Sequence, residues 1–310
     1  MEYRTLGRTE LRVSALAFGA GPVAGLMTGD DPAAQLATVR RAVEAGVNWF
    51  DTAPGYGQGR SETNLGRVLS ELGSPGGVHV ATKFRLPAEG FADVRGHVRR
   101  SVAESLQRLG APITLLQLHN GITARRGDEP ASITPARARR PGGVLDAFRE
   151  LRDAGLVAHL GLTGTGQPDA LREVVRSGAF DSVQVPYHLL NPSAGRVVPE
   201  TFDETNHGNI MADCAELGMG VFAIRVFAAG ALLGRPPGAH TLTTPYFPLA
   251  LYERDRERAA RFAAESGAGM AGVALRFALA HPAVTAAIIG FGSQDEVEEA
   301  ARFAGRPEST

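Results

Sequence analysis

The fold is decided by the stretch Val47-Asn48-Trp49-Phe50-Asp51-Thr52-Ala53-Pro54-Gly55-Tyr56. Its apolar start is typical of a buried β-strand that ends at Asp51, and the Pro-Gly pair predicts a tight turn immediately afterwards. Tyr56 lies on that turn, five residues beyond the aspartate. A carboxylate at a strand end with a phenol on the next loop could carry out proton transfer. Alone, the same pattern also fits a turn aspartate beside an ordinary loop tyrosine.

Apolar runs of strand length recur along the chain, and segments of helical periodicity lie between them. The strands are predicted at Ser14–Ala20, Val47–Asp51, Val78–Lys83, Ile113–His119, Val157–Thr163, Ser182–Pro186, Gly220–Arg225 and Val284–Gly290. Eight strands, each followed by a helix, predict an α/β fold of the (β/α)8 TIM barrel type, formed as a single domain by residues 1–310. Residues 1–13 predict an N-terminal β-hairpin ahead of the barrel. Residues 121–141 and 226–251 are predicted as long loops over the barrel mouth.

A doubly wound sheet is the competing fold, because Gly19-Ala20-Gly21-Pro22-Val23-Ala24 matches the dinucleotide fingerprint G-x-G-x-x-A. That fingerprint requires a helix to begin directly after it, so that the phosphates bind at the helix N-terminus. Here Gly25, Gly29 and the turn residues 28–32 delay the predicted helix by about ten residues. The match is therefore interpreted as accidental, and the barrel is preferred.

Composition limits the possible functions. The 310 residues are 44% hydrophobic and 21% charged, with a net charge of −1, as in soluble globular proteins that offer no basic face to nucleic acid. The sequence shows neither a signal peptide nor an apolar run of transmembrane length. The single cysteine, Cys214, excludes a disulfide framework. These features predict a cytoplasmic protein without a nucleic-acid or membrane partner.

Lys83 is the only lysine, whereas the other 31 of the 32 cationic side chains are arginines. An ammonium is more compact than a guanidinium and its pKa responds to burial, so we interpret the retained lysine as functional. Asp51, Lys83 and His119 end three successive predicted strands, at spacings of 32 and 36 residues. In a barrel, such strand ends meet at one rim, where a buried charge must be paired. We therefore expect Asp51 and Lys83 to pair close to Tyr56.

A cation beside a phenol stabilises the phenolate, which makes the phenol a better proton donor at neutral pH. Tyr56 is therefore predicted as a general acid/base, supported by Lys83 and Asp51. His119 is predicted to hydrogen-bond a substrate oxygen from the other side. The sequence contains no H-x-H or H-E-x-x-H motif and no G-x-S-x-G elbow, which disfavours a metal site and a serine hydrolase.

Four segments, taken together, resemble the aldo-keto reductase superfamily. They are Phe50-Asp51-Thr52-Ala53-Pro54-Gly55-Tyr56-Gly57, Ser61-Glu62-Thr63-Asn64-Leu65-Gly66, Ala81-Thr82-Lys83 and Leu116-Gln117-Leu118-His119-Asn120. The resemblance implies a (β/α)8 barrel with an N-terminal hairpin at its base, and reversible hydride transfer between a nicotinamide cofactor and a carbonyl group. It also implies that Tyr56 protonates the carbonyl oxygen, that Lys83 and Asp51 tune Tyr56, and that His119 orients the substrate.

The resemblance implies a nicotinamide site that departs from the usual pattern. Thr163 keeps the hydroxyl of the family's Ser-Asn pair after strand five, whereas Gly164 supplies no amide, and Gln184 matches the family's glutamine on strand six. After strand seven, an aromatic residue often stacks on the nicotinamide. Here we expect Arg225 to take over the stacking, because its planar group can stack, and Phe227 to contact the cofactor.

The helix after strand eight is predicted to bind phosphate through its first backbone amides and Ser293. Many relatives place an arginine or lysine where Gly292 and Glu296 stand, and this cation holds the 2′-phosphate of NADP. A carboxylate repels phosphate and suits a ribose hydroxyl, so NAD is favoured, although NADP stays open if Glu296 faces solvent and Arg302 binds the phosphate. The remaining predicted cofactor contacts are Gly19, Ala20, Asp51, Gly290 and Glu299.

The sequence therefore predicts an NAD(P)-dependent oxidoreductase that reversibly reduces a small aldehyde or ketone. The nearest alternative is a sugar 1-dehydrogenase, because the Asp-Thr-Ala-Pro-x-Tyr-Gly turn resembles branches that include such enzymes. A non-catalytic, cofactor-binding regulatory subunit is a third possibility. The predicted substrate contacts are Trp49, Tyr56, Phe84 and His119, with further specificity from Arg85, the 121–141 loop and Tyr246-Phe247.

Overall fold

A closed eight-stranded parallel barrel forms the body of the molecule. The computed structural model describes residues 1–244, 249–266 and 269–305. The strands are β1 (Tyr3–Thr5), β2 (Arg12–Ser14), β3 (Leu16–Gly19), β4 (Trp49–Asp51), β5 (His79–Phe84), β6 (Ile113–Leu118), β7 (Val157–Thr163), β8 (Ser182–Pro186), β9 (Gly220–Ile224) and β10 (Val284–Gly290). Each of β3 to β9 pairs in parallel with the next strand, and β10 closes the ring against β3. The predicted barrel is therefore confirmed.

The helices form the outer layer of the barrel. They are α1 (Pro32–Glu44), α2 (Arg60–Glu71), α3 (Val94–Leu109), α4 (Pro135–Arg139), α5 (Val144–Asp153), α6 (Pro168–Val175), α7 (Ile210–Glu216), α8 (Ala239–Thr243), α9 (Leu249–Ser266), α10 (Met270–Ala280) and α11 (Gln294–Phe303). None of the helices in the described parts of the chain combines the length and apolar character needed to cross a bilayer.

The predicted N-terminal hairpin is present and closes the base of the barrel. Strands β1 and β2 pair in antiparallel fashion, and Leu6 between them is fully buried in the barrel interior. Gly7 has φ +52°, and a Cβ at this position would overlap the backbone of Gly220 at the start of β9. The hairpin and barrel backbones therefore touch, which only a glycine allows.

Side chains inside the barrel lie in two layers of opposite polarity. The lower layer is apolar and includes Trp49, Ala81, Leu115 and Phe222, with Leu6 of the hairpin beneath them. Two residues further along three of these strands come Asp51, Lys83 and Gln117, all buried. Strand side chains alternate between faces and rise about 3.3 Å per residue, so this polar layer lies about 6–7 Å nearer the mouth.

Helix α2 fixes the loop that carries Tyr56. Glu62, in its first turn, is fully buried and accepts hydrogen bonds from Thr82 of β5 at 2.6 Å and from Arg108 of α3 at 2.7 Å. Ser61 Oγ donates to the carbonyl oxygen of Ala20 at 2.7 Å. The polar residues of the Ser61–Gly66 motif therefore hold α2, β5 and α3 together directly behind the tyrosine turn.

The two segments predicted as long loops contain short helices. In the first, Thr134 accepts a hydrogen bond from the Arg137 amide at 3.3 Å, and Pro135 begins α4, which is a typical capped helix start. The second contains a 3₁₀ helix at Ala228–Leu233 and then α8. Both segments follow strands at the mouth, and the second forms part of the cavity wall described below.

Candidate active site

A buried ion pair lies at the centre of the polar layer. Lys83 Nζ donates to Asp51 Oδ1, with side-chain exposures of 1% and 5%, and also to the Thr52 carbonyl oxygen at 2.8 Å. The second carboxylate oxygen of Asp51 accepts from Gln117 Nε2 at 2.9 Å and from Gln184 Nε2. The attraction between the two charges and these hydrogen bonds together offset the free-energy cost of removing the carboxylate and the ammonium from water.

Tyr56 and His119 lie above this ion pair. The Lys83 ammonium is 4.8 Å from the centre of the Tyr56 ring. The Tyr56 and His119 rings meet edge to face, with centroids 6.0 Å apart. The turn is held by the Tyr56 amide, which donates to the Ala53 carbonyl at 3.1 Å. Asp51, Tyr56, Lys83 and His119 are thus brought together at one rim.

The electrostatics of this rim keep Lys83 charged and His119 neutral. Burial opposes the ammonium, but the charge of Asp51 and the interaction with Tyr56 outweigh it and raise the pKa of Lys83. Burial, with the charges of Lys83 and Arg85, holds the pKa of His119 well below its usual range. At neutral pH the imidazole is therefore a neutral hydrogen-bonding group.

A cavity of about 270 Å³ opens over Tyr56. Its lining includes five of the predicted cofactor contacts besides Asp51, namely Gly19, Gln184, Arg225, Phe227 and Gly290. A smaller neighbouring cavity shares Phe227 and Gly290 and adds Glu296 and Glu299. A wider cleft of about 970 Å³ follows along α9 and α10. Arg235 lines all three spaces.

The other predicted cofactor residues lie at or behind this groove. The buried Ala20 amide donates to the Asp51 carbonyl at 2.8 Å, so Ala20 supports the wall. Ser293 caps α11 by accepting from the Glu296 amide at 3.4 Å, and the exposed Gly292 precedes it. Thr163 Oγ1 is buried and has no hydrogen-bond partner among the described residues, and Thr163 is paired in register with Gln184. This unpartnered hydroxyl fits a site for a polar ligand group.

Comparison with known proteins identifies the family. A family model described as the Aldo/keto reductase family matches residues 15–306. The chain belongs to this family. The resemblance found in the sequence is thus confirmed, and so is the prediction of an NAD(P)-dependent oxidoreductase.

Relatives of this aldo/keto reductase align over nearly its whole length. L-galactose dehydrogenase of Arabidopsis thaliana is 29% identical over 315 residues, covering 96% of this chain and 86% of the relative. Pyridoxal 4-dehydrogenase of Microbacterium luteolum is 29% identical over 328 residues, covering 96% and 91%. The holo form of an aldo-keto reductase from Bacillus halodurans has a TM-score of 0.74 at 24% identity, covering 100% of this chain and 93% of that one. This structural likeness shows the common barrel fold.

Two predicted substrate contacts of this aldo/keto reductase lie in the core instead. Trp49 is fully buried in the lower barrel layer, with its ring 4.8 Å from that of Phe222, because it precedes Asp51 by two residues and points inward one layer below. Phe84 follows Lys83 by one residue and therefore points outward, where it packs against Phe148 of α5 at 6.0 Å. Neither side chain lines the cavity, so both predictions are corrected. Tyr246 and Phe247 lie outside the described residues.

Gly164 is a glycine for a structural reason. Its amide donates to the Gln184 carbonyl at 2.6 Å, and a Cβ would lie 2.7 Å from Val185 Cγ1. In this aldo/keto reductase, the Val185 side chain and the Gln184 carbonyl of β8 thus leave little room for the asparagine that the family pattern suggests at this position. The missing amide is a consequence of local packing.

Two residues of the site were missed from the sequence. Gln117 carries a recognisable signal, because it is a lone polar residue inside the apolar run Leu115–Leu118, two positions before His119 and therefore on the same face. Arg235 carries no such signal, because it is one of the 31 arginines of the chain and lies in an irregular segment.

The backbone after β9 turns sharply at the cavity. Arg225 has φ +58°, and Ala228 and Ala229 also have positive φ, which non-glycine residues rarely adopt outside functional sites. Burial lowers the pKa of the Arg225 guanidinium to about 10, and Asp255 of α9 opposes this effect. Burial and the nearby Glu204 raise the pKa of Asp255 to about 6.

Three side chains that could bind a cation lie near Arg225. His188, Glu204 and Asp255 present ligand atoms within 4.8 Å of one another. Glu204, however, is already ion-paired with Arg258, and the Arg225 charge acts on both His188 and Asp255. A divalent cation would be repelled by these guanidinium groups, so we assign no metal to these residues.

Proposed function

We propose that this protein catalyses reversible hydride transfer between a nicotinamide cofactor and a small aldehyde, ketone or sugar, with Tyr56 as the general acid/base. The observation that carries this proposal is the position of the buried Lys83 ammonium, paired with Asp51 and 4.8 Å from the Tyr56 ring centre. The bound nicotinamide supplies or accepts the hydride. The side chains of the rim move the proton and hold the substrate.

In the direction of reduction, Tyr56 Oη gives its proton to the carbonyl oxygen while the carbonyl carbon gains a hydride. The phenolate left on Tyr56 is stabilised by the Lys83 ammonium, which Asp51 anchors. In the direction of oxidation, the same phenolate takes the proton of the alcohol. Gln117, which donates to Asp51 at 2.9 Å, acts as a positioning residue for this carboxylate.

His119 is proposed to orient the substrate. The lowered pKa of His119 leaves its imidazole ring neutral at neutral pH. The neutral ring can donate one hydrogen bond to the substrate oxygen without competing with Tyr56 as an acid. Its edge-to-face contact with Tyr56 supports this role, because it holds the imidazole beside the phenol that is proposed to transfer the proton. Arg85 is exposed and its charge acts on His119, which supports the predicted contribution of Arg85 to specificity.

Thr163, Gln184 and Arg225 are proposed to hold the nicotinamide end of the cofactor. The buried, unpartnered Thr163 Oγ1 and the neighbouring Gln184 amide suit a carboxamide group. Arg225 and Phe227 line the same cavity as Gln184, and a planar guanidinium there can cover a ring. Gly290 and the backbone amides at the start of α11 are proposed to bind the cofactor phosphates. NAD is the proposed preference, because the Glu296 carboxylate in the first turn of α11 repels a 2′-phosphate and suits a ribose hydroxyl.

The substrate class is proposed from the relatives. The name of the Arabidopsis thaliana relative is that of a sugar dehydrogenase, which supports oxidation of an aldose as the second candidate. The Microbacterium luteolum relative is named for pyridoxal, which supports a small aldehyde or its hydrated form. We also propose a cytoplasmic protein without a nucleic-acid partner, which the net charge of −1 supports.

A tyrosine substitution tests the proposal. Tyr56→Phe should lower kcat by about 10²–10⁴-fold and leave cofactor affinity nearly unchanged. Tyr3→Phe is the matched control, because Tyr3 OH donates to Gly46 at the base of the barrel, at 2.8 Å, far from the cavity. Both variants and the wild type would be assayed with NAD(H) and NADP(H) against panels of aldehydes, ketones and aldoses. Retained turnover in Tyr56→Phe would refute the acid/base role. A wild type that binds cofactor but turns over none of these compounds would support the regulatory-subunit alternative.

A further inference from the structure

The chain stays extended beyond β6 and carries the inner face of the barrel further toward solvent. The Ile122 amide donates to the Thr165 carbonyl oxygen at 2.9 Å, so the pairing of β6 with β7 continues past the ends of both strands. Leu118 and Ile122 both belong to the apolar core that the outer faces of the strands share with the helices. Because strand side chains alternate, Gly121 faces the inside of the mouth, as does His119 two residues before it.

The Glu129 carboxyl group lies where Gly121 has no side chain. A Cβ on Gly121 would be 3.2 Å from Glu129 Oε2 and 3.8 Å from Thr165 Oγ1. Two residues of extended chain separate Gly121 from His119, so this position is about 6–7 Å nearer solvent than His119. An acidic group and a hydroxyl group thus stand one layer above His119 on the inner face of the mouth.

The Glu129 side chain has no partner within the protein to offset its burial. In the described parts of the chain its carboxyl group makes no hydrogen bond and no ion pair, and only its backbone amide is bonded, to Ser132 Oγ at 3.3 Å. Burial and the charge of Asp128 raise the pKa of Glu129. A half-buried acid in such a position costs free energy, which a ligand that supplies hydrogen bonds would offset.

The loop that carries Glu129 is held in place by its own polar groups. Ser132 Oγ accepts from the amides of Gly127, at 3.2 Å, and Glu129. The Ile133 amide donates to the Gly121 carbonyl oxygen at 2.9 Å, which ties the end of the loop to its beginning. The carboxyl group is therefore presented by a fixed scaffold, as recognition of a small ligand requires.

The charges around the mouth favour a neutral, hydroxylated ligand. The positive charges of Lys83 and Arg85 act on His119 and would repel a cationic substrate. The carboxylates of Glu129 and its neighbour Asp128 would repel an anionic one. A neutral hydroxyl group can donate a hydrogen bond to a carboxylate, and such charge-assisted bonds are about twice as strong as neutral ones.

We propose that Glu129 binds a substrate hydroxyl group several bonds away from the reacting carbon, and thereby selects hydroxylated aldehydes and aldoses over unsubstituted aldehydes. The Thr165 hydroxyl offers a second contact to the same part of the substrate. The inference rests on the proposed function, because it places the reacting carbonyl group at Tyr56 and His119, one layer below Glu129.

Two substitutions at Glu129 and one control test this assignment. Glu129→Ala removes the carboxyl group, whereas Glu129→Gln keeps an oxygen that can accept a hydrogen bond and removes only the charge. The control is Asp169→Ala, because Asp169 is exposed in the first turn of α6, at the same end of the barrel but outside the loop. Asp169→Ala changes the net charge by the same amount as Glu129→Ala.

Steady-state kinetics would be measured with the four-carbon aldose erythrose and with butanal, which has the same chain length without hydroxyl groups. Glu129→Ala should raise the KM for erythrose about 10- to 100-fold, as loss of one hydrogen bond to a charged group implies, with kcat nearly unchanged. Glu129→Gln should raise it less. Both variants should keep the wild-type KM and kcat for butanal, which also verifies folding, and Asp169→Ala should resemble the wild type with both aldehydes.

The outcomes separate this inference from the proposed function. If the wild type turns over butanal but not erythrose, or if Glu129→Ala leaves the KM for erythrose unchanged, the selection is refuted while the proposed function stands. If Asp169→Ala raises the KM for erythrose as much as Glu129→Ala does, the effect comes from net charge and the proposal is overturned. If the wild type turns over neither aldehyde with either cofactor, the proposed function itself fails, and the inference with it.

Discussion

Removal of the Lys83 charge is the most informative perturbation of the polar layer. In Lys83→Met the carboxylate of Asp51 stays buried but loses its ammonium, and it keeps only the amide donors Gln117, at 2.9 Å, and Gln184. The Thr52 carbonyl, which accepts from Lys83 at 2.8 Å, loses its donor as well. Tyr56 loses the cation 4.8 Å from its ring centre. One substitution therefore changes both the stability of the barrel and the chemistry at its mouth.

The magnitude follows from the burial of the pair. The side chains of Lys83 and Asp51 are 1% and 5% exposed, so removal of one partner leaves an uncompensated charge, at a cost of about 3–5 kcal/mol. That is a large part of the roughly 5–15 kcal/mol by which domains are stable. Asp51→Asn should cost a similar amount. The double variant, which has no buried charge at all, should return to within about 1–2 kcal/mol of the wild type.

Urea unfolding followed by circular dichroism would give the free energies of unfolding of the wild type, Lys83→Met, Asp51→Asn and the double variant. The pKa of Lys83 is raised, so its contribution to stability is full below the ordinary value of 10.5 and is lost only as the pH rises through the folded-state value. The coupling energy should therefore be constant across neutral pH. Turnover, in contrast, should stay about 10²-fold or more below the wild type in both single variants and in the double variant.

Two results would refute this reasoning. Wild-type turnover in Lys83→Met would mean that Tyr56 does not depend on the cation. A double variant as unstable as Lys83→Met would mean that lost packing, and not the unpaired charge, determines stability. Because the double variant is expected to fold well, its lack of turnover cannot be attributed to unfolding.

Three further predictions concern other parts of the molecule. Gly164→Asn should lower both the stability and the cofactor affinity, because its Cβ would lie 2.7 Å from Val185 Cγ1. Thermal unfolding and cofactor titration would measure the two effects, and tighter cofactor binding would contradict this packing argument. Gly66→Ala should destabilise the barrel by more than about 2 kcal/mol in urea unfolding, although alanine has the better helix propensity, because the added Cβ would overlap the end of α3. Gly76→Ala is the control: its Cβ would enter open space, so its free energy of unfolding should be nearly unchanged. Because the pKa of Asp255 is raised from 3.8 to about 6, the protonated form stabilises the fold at low pH. The wild type should therefore lose up to about 3 kcal/mol relative to Asp255→Asn as the pH rises from about 4 to about 6, and a constant difference would refute this.

The barrel and its four rim residues could be predicted because their signals are local. Each strand is an apolar run: Asp51 ends β4, Lys83 is the last residue but one of β5, and His119 directly follows β6. Parallel strands in a barrel all point to the same mouth, so residues at strand ends must meet whatever their separation in sequence. The position of Tyr56 could be predicted as well, because the turn after β4 is too short to place it away from this rim.

Two of the four predicted substrate contacts, Trp49 and Phe84, were mispredicted because proximity in sequence was used without the alternation of strand side chains. Trp49 and Asp51 share a face but not a layer, and Lys83 and Phe84 share a layer but not a face. The same alternation would have found Gln117, which precedes His119 by two residues. The ion pair of Arg235 and Glu296, 2.7 Å apart, is different, because no local pattern links residues from an irregular segment and a distant helix.

The lone lysine can now be explained by the space in the polar layer. Gly161 of β7 lies opposite Gln117, and a Cβ there would be 2.8 Å from Ser182 Oγ and 3.1 Å from Gln117 Cγ. Lys83 itself is only 2% exposed in this layer, whereas the chain uses the wider guanidinium at every other cationic position. An ammonium fits, and it can point one proton at Asp51 and another at the Thr52 carbonyl while it lies beside the Tyr56 ring. The composition of the chain thus marks a position where a compact, buried cation serves two acceptors and a phenol ring at once.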